Sequence, residues 1–558
     1  MSNDTLKEEN KLHVLIQPYR LPVIARFNEP DNIFFIFDEE GYTNTTLEIL
    51  KESNIKKYYL INDYDKFIKE TINYLKNNNN IKYLFLCIIN NEILPVLKYA
   101  KSIGINIYYI HHGLWNKTQL NVIHEVSDWM YKENESNDDN FFCISGPAGT
   151  GKTTIINHIC NNLINGFRIV VTATTNAAVN ILDEKIDSGY IKCSTIHNYL
   201  KLRIKTTQKG KVLSRKKNKE HLCHDLVIID ECSMVDSRLW DLISNYPYKK
   251  TKWLFVGDAC QLSPVGDSIS PTFQVSNIVH LNEILRQDND NPLKEYITGV
   301  RNTLLYNSEI PNLLTKYQVN KGIAVYSSRQ FNLWLDACLK CFNCDKSTDY
   351  NFARIITFTN KLERYYNTLI RNHIVQSDLE FEKDETLFLK SPIFKYDNST
   401  STDRNIAVPT NQPIRIIRVT PFTLNAKDIH YQFPTSKFNA FRLIVKDRDD
   451  ISHRIIVISS TQVDDFFKWK EQALKDFNFD GDRSSENTRV WEQWVHFESD
   501  IVDVSYRYAT TVRRCQGSTI EHVFPVFKDL ISCKDQTTKL RNIYCAFSRA
   551  SNSCITLI

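Results

Sequence analysis

The stretch Gly146-Pro-Ala-Gly149-Thr150-Gly151-Lys152-Thr153-Thr154 has the residue types and spacing of a polyphosphate cradle, G-x-x-x-x-G-K-T in full. Glycines let successive backbone N–H groups turn toward phosphate oxygens, Lys152 carries positive charge to the β- and γ-phosphates, and the Thr153 hydroxyl can ligate Mg²⁺. The apolar run Phe141-Phe-Cys-Ile enters the loop and the helical Ile155-Ile-Asn-His-Ile leaves it, as strand and helix must. The chain therefore reads first as a nucleoside triphosphate-binding protein.

Binding becomes hydrolysis only with acids and a countercharge. Val227-Ile-Ile-Asp230-Glu231 is an apolar run ending in two carboxylates, expected on a strand neighbouring that of the loop. Asp230 can hold Mg²⁺ and Glu231 can orient and deprotonate the attacking water. Leu254-Phe-Val-Gly257-Asp258-Ala-Cys-Gln261-Leu-Ser-Pro264 is a further buried run, ending near an amide able to reach a γ-phosphate. Arg286 and Arg549 each stand beside an apolar segment, and a planar cation is what stabilises charge developing during phosphoryl transfer.

Taken in order, these motifs resemble those of superfamily 1 helicases, in the subgroup containing the RecD and phage Dda helicases. The resemblance runs from Gln119 to Ala550. It implies that ATP is the nucleotide and that Gln119 reads its adenine. Gly146, Gly149, Thr150, Gly151, Lys152, Thr153, Thr154, Gln516 and Gly517 would line its site, with Thr153 and Asp230 on Mg²⁺. It also implies two RecA-like domains closing on ATP, Arg286 and Arg549 belonging to the second, and 5′ to 3′ movement along single-stranded DNA toward duplex junctions. Thr174 and Asn176, Thr195 and His197, Pro264, Thr359 and Asn360, and Thr511 fall in the segments that touch the strand in that family. The rival reading is a nucleic-acid-stimulated NTPase that remodels RNA or protein–nucleic-acid complexes without separating duplexes.

The sequence departs from the family pattern in two places. Where relatives carry H-K-S-Q-G, this chain has Arg513-Arg514-Cys515-Gln516-Gly517, keeping a charge and losing a hydroxyl. A basic segment with two alternating halves around Gly210 predicts a β-hairpin at 200–225, but no aromatic residue lies between Lys201 and Asp225. It reads either as a DNA-facing pin or as a solvated basic loop.

The elements that must position these groups follow from apolar periodicity. The expected plan is α/β: a small N-terminal domain over 1–113, a first RecA-like domain over 114–285 containing the hairpin, and a second over 286–558 interrupted by a β-rich, barrel-like insert at 390–503. In the N-terminal part, strand-like runs begin at Ile33 and alternate with helical patterns to His111. This part faintly resembles NYN or PIN-like nucleases, with Asp38, Asp63, Asp65 and Glu92 as an incomplete carboxylate set. Asn90 and Asn91 stand where an acid is expected, so an inactive docking module for replication or repair proteins is the competing reading.

A net charge of +4 excludes global basicity as the basis of nucleic-acid binding, so local clusters must supply it. The start lacks a signal-peptide layout and no apolar stretch reaches bilayer length, predicting an intracellular protein without a membrane partner: cytoplasmic in a bacterial or phage setting, nuclear in a eukaryotic one. Cys338, Cys341 and Cys344 suit either a metal site lacking an evident fourth ligand or an amphipathic helix bearing ordinary thiols.

Overall fold

The computed structural model describes most of residues 117–558, apart from 161–166, 187–190, 216–222, 284–290, 397–403, 426–435, 477–492 and a few shorter stretches. Before residue 117 it describes little beyond the strands and one helix, Tyr64–Asn77.

Two six-stranded sheets position most of the predicted site residues. The first runs Asn277–His280, Phe141–Ser145, Lys252–Gly257, Leu226–Asp230, Ile169–Ala173 and Cys193–Thr195, every pair parallel. Helices cover both faces of such a sheet, so its central strands are buried throughout and read as unbroken apolar runs. The strand bearing the two acids is not the direct neighbour of the phosphate-loop strand, as the sequence suggested. Lys252–Gly257 lies between them, placing the loop and the acids at strand ends on either side of Gly257.

The second sheet runs Lys316–Gln318, Lys321–Tyr326, Ala550–Leu557, Ile520–Pro525, Ala353–Thr357 and Ala509–Thr511, parallel except for the first pair. Helices Pro292–Tyr306 and Gln536–Phe547 share one apolar cluster against it, including Tyr296, Val300, Ile543 and Phe547. Together the two sheets, with helices packed against them, form the α/β core of the chain.

The basic segment is a β-hairpin, Leu202–Thr207 paired antiparallel with Gly210–Arg215. The β-rich insert is an antiparallel sheet of Thr386–Leu389, Pro413–Asn425, Lys437–Lys446, Ser452–Ile458 and Val504–Tyr506, with a separate two-stranded ribbon at Ile393–Tyr396 and Arg404–Val408. Its sheet begins before residue 390 and closes after 503, and it contains a helix, Val463–Asp476, that the strand-rich reading missed. That helix buries Phe466 and Ala473 among Phe438, Trp494 and Phe497.

The N-terminal sheet is parallel, in the order Tyr58–Ile61, Ile33–Phe37, Asn10–Leu15, Ile81–Leu86, Asn106–Tyr109. Its central strand, Asn10–Leu15, precedes the one expected to be first. NKLHVL offers only a short apolar run among polar neighbours, too weak a period to register as a strand.

Candidate active site

The phosphate loop takes its shape from backbone conformation. Gly149 and Gly151 both have φ of +84°, a region closed to most side chains, and Gly151 caps the helix Lys152–His158. A Cβ on Gly146 would come within 2.7 Å of Leu281 Cβ, so that glycine permits close packing. Gly146 N–H donates to Gly257 O at 3.0 Å, tying the loop to the strand between it and the acids. Lys152 Nζ folds over the loop and donates to the carbonyls of Gly146 (2.9 Å) and Pro147 (2.8 Å). Gln119 is buried and its Nε2 donates to Thr150 O at 2.9 Å, so the proposed adenine reader is fastened to the loop backbone.

The acids sit in a strained, poorly solvated turn. Glu231 is a non-glycine residue with φ of +52°, and its N–H donates to Asp230 Oδ1 at 2.8 Å. Burial, then the charge of Glu231, push the Asp230 carboxyl up to about 7, against the opposing pull of Lys152. Glu231 Oε2 is buried and has no hydrogen-bond partner among the described residues. Thr174 Oγ1 donates to Glu231 O at 3.0 Å, so the first predicted strand-contact segment is joined to the turn of the two acids.

Residues of the second sheet's domain close over this turn. Gly517, at φ +80°, lies so near that an added Cβ would stand 3.5 Å from Glu231 Oε1 and 3.9 Å from Ala178 Cβ. Beside it, Gln516 Nε2 donates to Gln261 Oε1 at 3.4 Å, while Gln516 Oε1 is buried without a partner among the described residues. Arg549 is 1% exposed; its guanidinium reaches Ser518 O and Ser548 Oγ at 3.4 Å each, and its Nε has no partner among those residues. Burying a guanidinium this loosely bonded is costly unless an anion completes it. Arg286 lies outside the described residues.

The chain is similar to known nucleotide-dependent proteins. Residues 133–267 match a family described as an AAA domain. The ATP-dependent DNA helicase dda of Enterobacteria phage T4 is 27% identical over 405 residues, spanning 68% of this chain and 86% of that protein. These similarities support an ATP-dependent DNA helicase. The RecBCD subunit RecD of Buchnera aphidicola is 30% identical over 261 residues, covering 42% of each protein. A Bacteroides Pif1 helicase crystallised with ADP-AlF3 and single-stranded DNA overlaps 79% of this chain and 92% of its own, at 14% identity and a TM-score of 0.41.

The segments expected to face the strand are less direct than the residue types suggested. Thr195 and Thr359 spend their side-chain oxygens as helix N-caps, accepting from Asn198 N–H and Leu362 N–H. The Thr359 hydroxyl also donates to Asp529 Oδ1 at 3.0 Å. Asn176 and Asn360 are the first residues of their helices, and Asn360 Oδ1 accepts from Arg514 Nη2 at 2.9 Å. His197 titrates below its usual range because burial outweighs the attraction of Asp236. Thr511 is buried, and Pro264 precedes the highly exposed Val265.

Arg514, which keeps the charge of the family pattern, also donates to Glu363 at 3.2 Å, and Lys390 at the root of the insert donates to the same carboxylate at 3.0 Å. Cys515 Sγ, where relatives have a hydroxyl, donates to Val512 O. Cys338 and Cys341 belong to the helix Phe331–Phe342, Cys344 Sγ donates to Cys341 O, and no group of three metal-binding side chains occurs among the described residues. Asp38, Asp63 and Glu92, and the side chain of Asp65, lie outside the described residues. No helix among the described residues is long and apolar enough to cross a membrane. Asp258, Arg301 and Tyr544, which join the two halves of the site, were not singled out from sequence; an acid directly after a buried strand was the available signal for Asp258.

Proposed function

We propose that this enzyme is a 5′ to 3′ DNA motor that hydrolyses ATP between its two RecA-like domains, draws single-stranded DNA across them and separates duplex ahead. The observation that carries the reading is the meeting of Glu231 with Gly517: the acid suited to activate water lies against a segment of the opposite lobe. Loss of the γ-phosphate then loosens the contact through which the lobes sense each other, and differential grip in the closed and open states gives direction.

Thr153 and Asp230 fit Mg²⁺, a hard cation that takes few protein ligands beside substrate phosphates, and the raised Asp230 carboxyl is a buried anion lacking sufficient countercharge. Held by Thr153 and Asp230, Mg²⁺ would supply positive charge against the triphosphate. Lys152 leaves its loop carbonyls for the phosphates, Glu231 Oε2 takes the proton of the attacking water, and Gln261 with Arg549 meets the γ-phosphate. The helix N-termini at Asn176 and Asn360 present backbone N–H groups to DNA phosphates, while their threonine caps hold them in place. The basic hairpin acts as the pin at the junction, and the N-terminal domain docks replication or repair proteins.

The test is unwinding of 5′- and 3′-tailed duplexes with strand-stimulated ATP hydrolysis measured alongside. Separation from the 5′ tail alone is expected. Stimulated hydrolysis without separation on either tail would refute the motor and leave the remodelling NTPase.

A further inference from the structure

Asp258 follows the buried strand Lys252–Gly257 of the first domain, yet its carboxylate is held by two helices of the second. Arg301, on Pro292–Tyr306, donates Nη1 to Asp258 Oδ1, and Tyr544, on Gln536–Phe547, donates its hydroxyl to Oδ2 at 2.7 Å. Arg301 Nη1 also reaches Tyr544 Oη at 3.3 Å, and its guanidinium lies 5.9 Å from the tyrosine ring centre. The Asp258 side chain is 0% exposed and that of Arg301 12%. Cys260 and Leu262, two and four residues on, pack within the second domain's own apolar cluster beside Leu293, Tyr296 and Val300.

The same loop meets the second domain again nearer the nucleotide, but on different terms. Gln261 and Gln516 are joined at 3.4 Å, and Arg513 reaches Ser263 O at 3.4 Å from an exposed position. Such long contacts contribute little, whereas separating a desolvated charge pair strands both charges. Despite burial, Arg301 and then Lys152 hold the Asp258 carboxyl below its usual range, so the charge persists.

We infer that Asp258, Arg301 and Tyr544 form the fixed pivot about which the two lobes rotate, with Arg301 and Tyr544 as positioning residues that keep the nucleotide-side contacts in register as they break and re-form. The inference rests on the two-lobe ATPase reading and deepens it. A pivot and mere glue differ in what their loss does. Glue sets how much protein is folded; a pivot sets how faithfully hydrolysis is converted into movement.

The test compares wild type with Tyr544→Phe, Arg301→Lys and Arg301→Met, reading thermal midpoint, ADP affinity, stimulated kcat and nucleotides moved per ATP. Fluorophores carried by unnatural residues at the exposed Lys249 and Lys340 report the spread of interlobe distance in ADP and in an ATP analogue. Tyr544→Phe removes one hydroxyl, so it tests the pivot even if Arg301→Met does not fold. We expect near-native ADP affinity, at least a threefold fall in nucleotides moved per ATP for Tyr544→Phe, a larger fall for Arg301→Met, partial rescue by Arg301→Lys, and a broadened distance distribution. Native coupling and distance spread in Tyr544→Phe, or losses that only track the folded fraction, overturn the pivot. If wild type hydrolyses ATP without moving on DNA, the motor reading fails and the distance distribution still decides the pivot.

Discussion

The two walls of the cleft are built on different principles. On the first wall, the site groups are close in sequence to the strands that aim them, and those of the phosphate loop are satisfied from within: Lys152 on the carbonyls of Gly146 and Pro147, Gln119 on Thr150 O, with Glu231 Oε2 the exception, buried without a partner among the described residues. On the second wall, Gln516 and Arg549 come from distant segments, are almost wholly buried, and keep Gln516 Oε1 and Arg549 Nε without partners among the described residues. A phosphate loop satisfied internally is expected to bind nucleotide alone. A wall with an orphaned buried guanidinium donor, Arg549 Nε, is expected to gain most when the anion is present, so its contribution should fall in closure and turnover rather than in initial affinity.

This division can be broken most visibly at its two charged extremes. Arg549→Ala should lower strand-stimulated kcat by about 10³-fold or more while changing ADP affinity by no more than about threefold, the range expected of a cation meeting transition-state charge. Quench-flow turnover and titration with a fluorescent ADP check both halves. Glu231→Gln should cost about 10²–10⁴-fold in turnover and leave ATP bound, as removal of a general base does. Lys152→Ala, by contrast, should weaken nucleotide binding as well as abolish hydrolysis; native affinity in that variant would dissolve the distinction between the walls.

A smaller effect sharpens the first wall through pH. The Asp230 carboxyl is raised to about 7 by burial and by Glu231, and only its anionic form holds a cation. Mg²⁺-dependent ATP affinity should therefore fall as pH drops below 7, by about tenfold per unit once the group is mostly protonated, with proton release on binding. Calorimetry in buffers of differing ionisation enthalpy between pH 6 and 8.5 measures it, and a flat profile would remove Asp230 from the metal. Smallest of all, Gly517→Ala should cost about 1 kcal/mol from its positive φ, a few degrees or less in the melting midpoint, with a disproportionate loss of stimulated turnover because the methyl group abuts Glu231.

Much of the first wall was legible because its chemistry is local. A glycine loop between an apolar strand and a helix, and two acids ending an apolar run, are contiguous patterns whose geometry follows from backbone conformation. The hairpin was legible for the same reason, through alternation around a turn. What escaped is what depends on neighbours far along the chain. The strand Lys252–Gly257 slips between loop and acids because sheet order is not written in strand order. Nor did the sequence show that the Thr359 hydroxyl both caps its helix and donates to Asp529, 170 residues away.

The amino-acid sequence alone determined that this chain has a phosphate loop, paired acids and candidate arginines in a helicase-like order, since each motif is held together by residues within a few positions of one another. Only the tertiary structure decided which of them share a cleft, that Gly517 meets Glu231, and that Asp258 belongs as much to the second lobe as to the first. The physical reason is that burial and charge pairing are properties of surroundings: Arg301 is one arginine among many until Asp258, 43 residues earlier, is enclosed with it away from water.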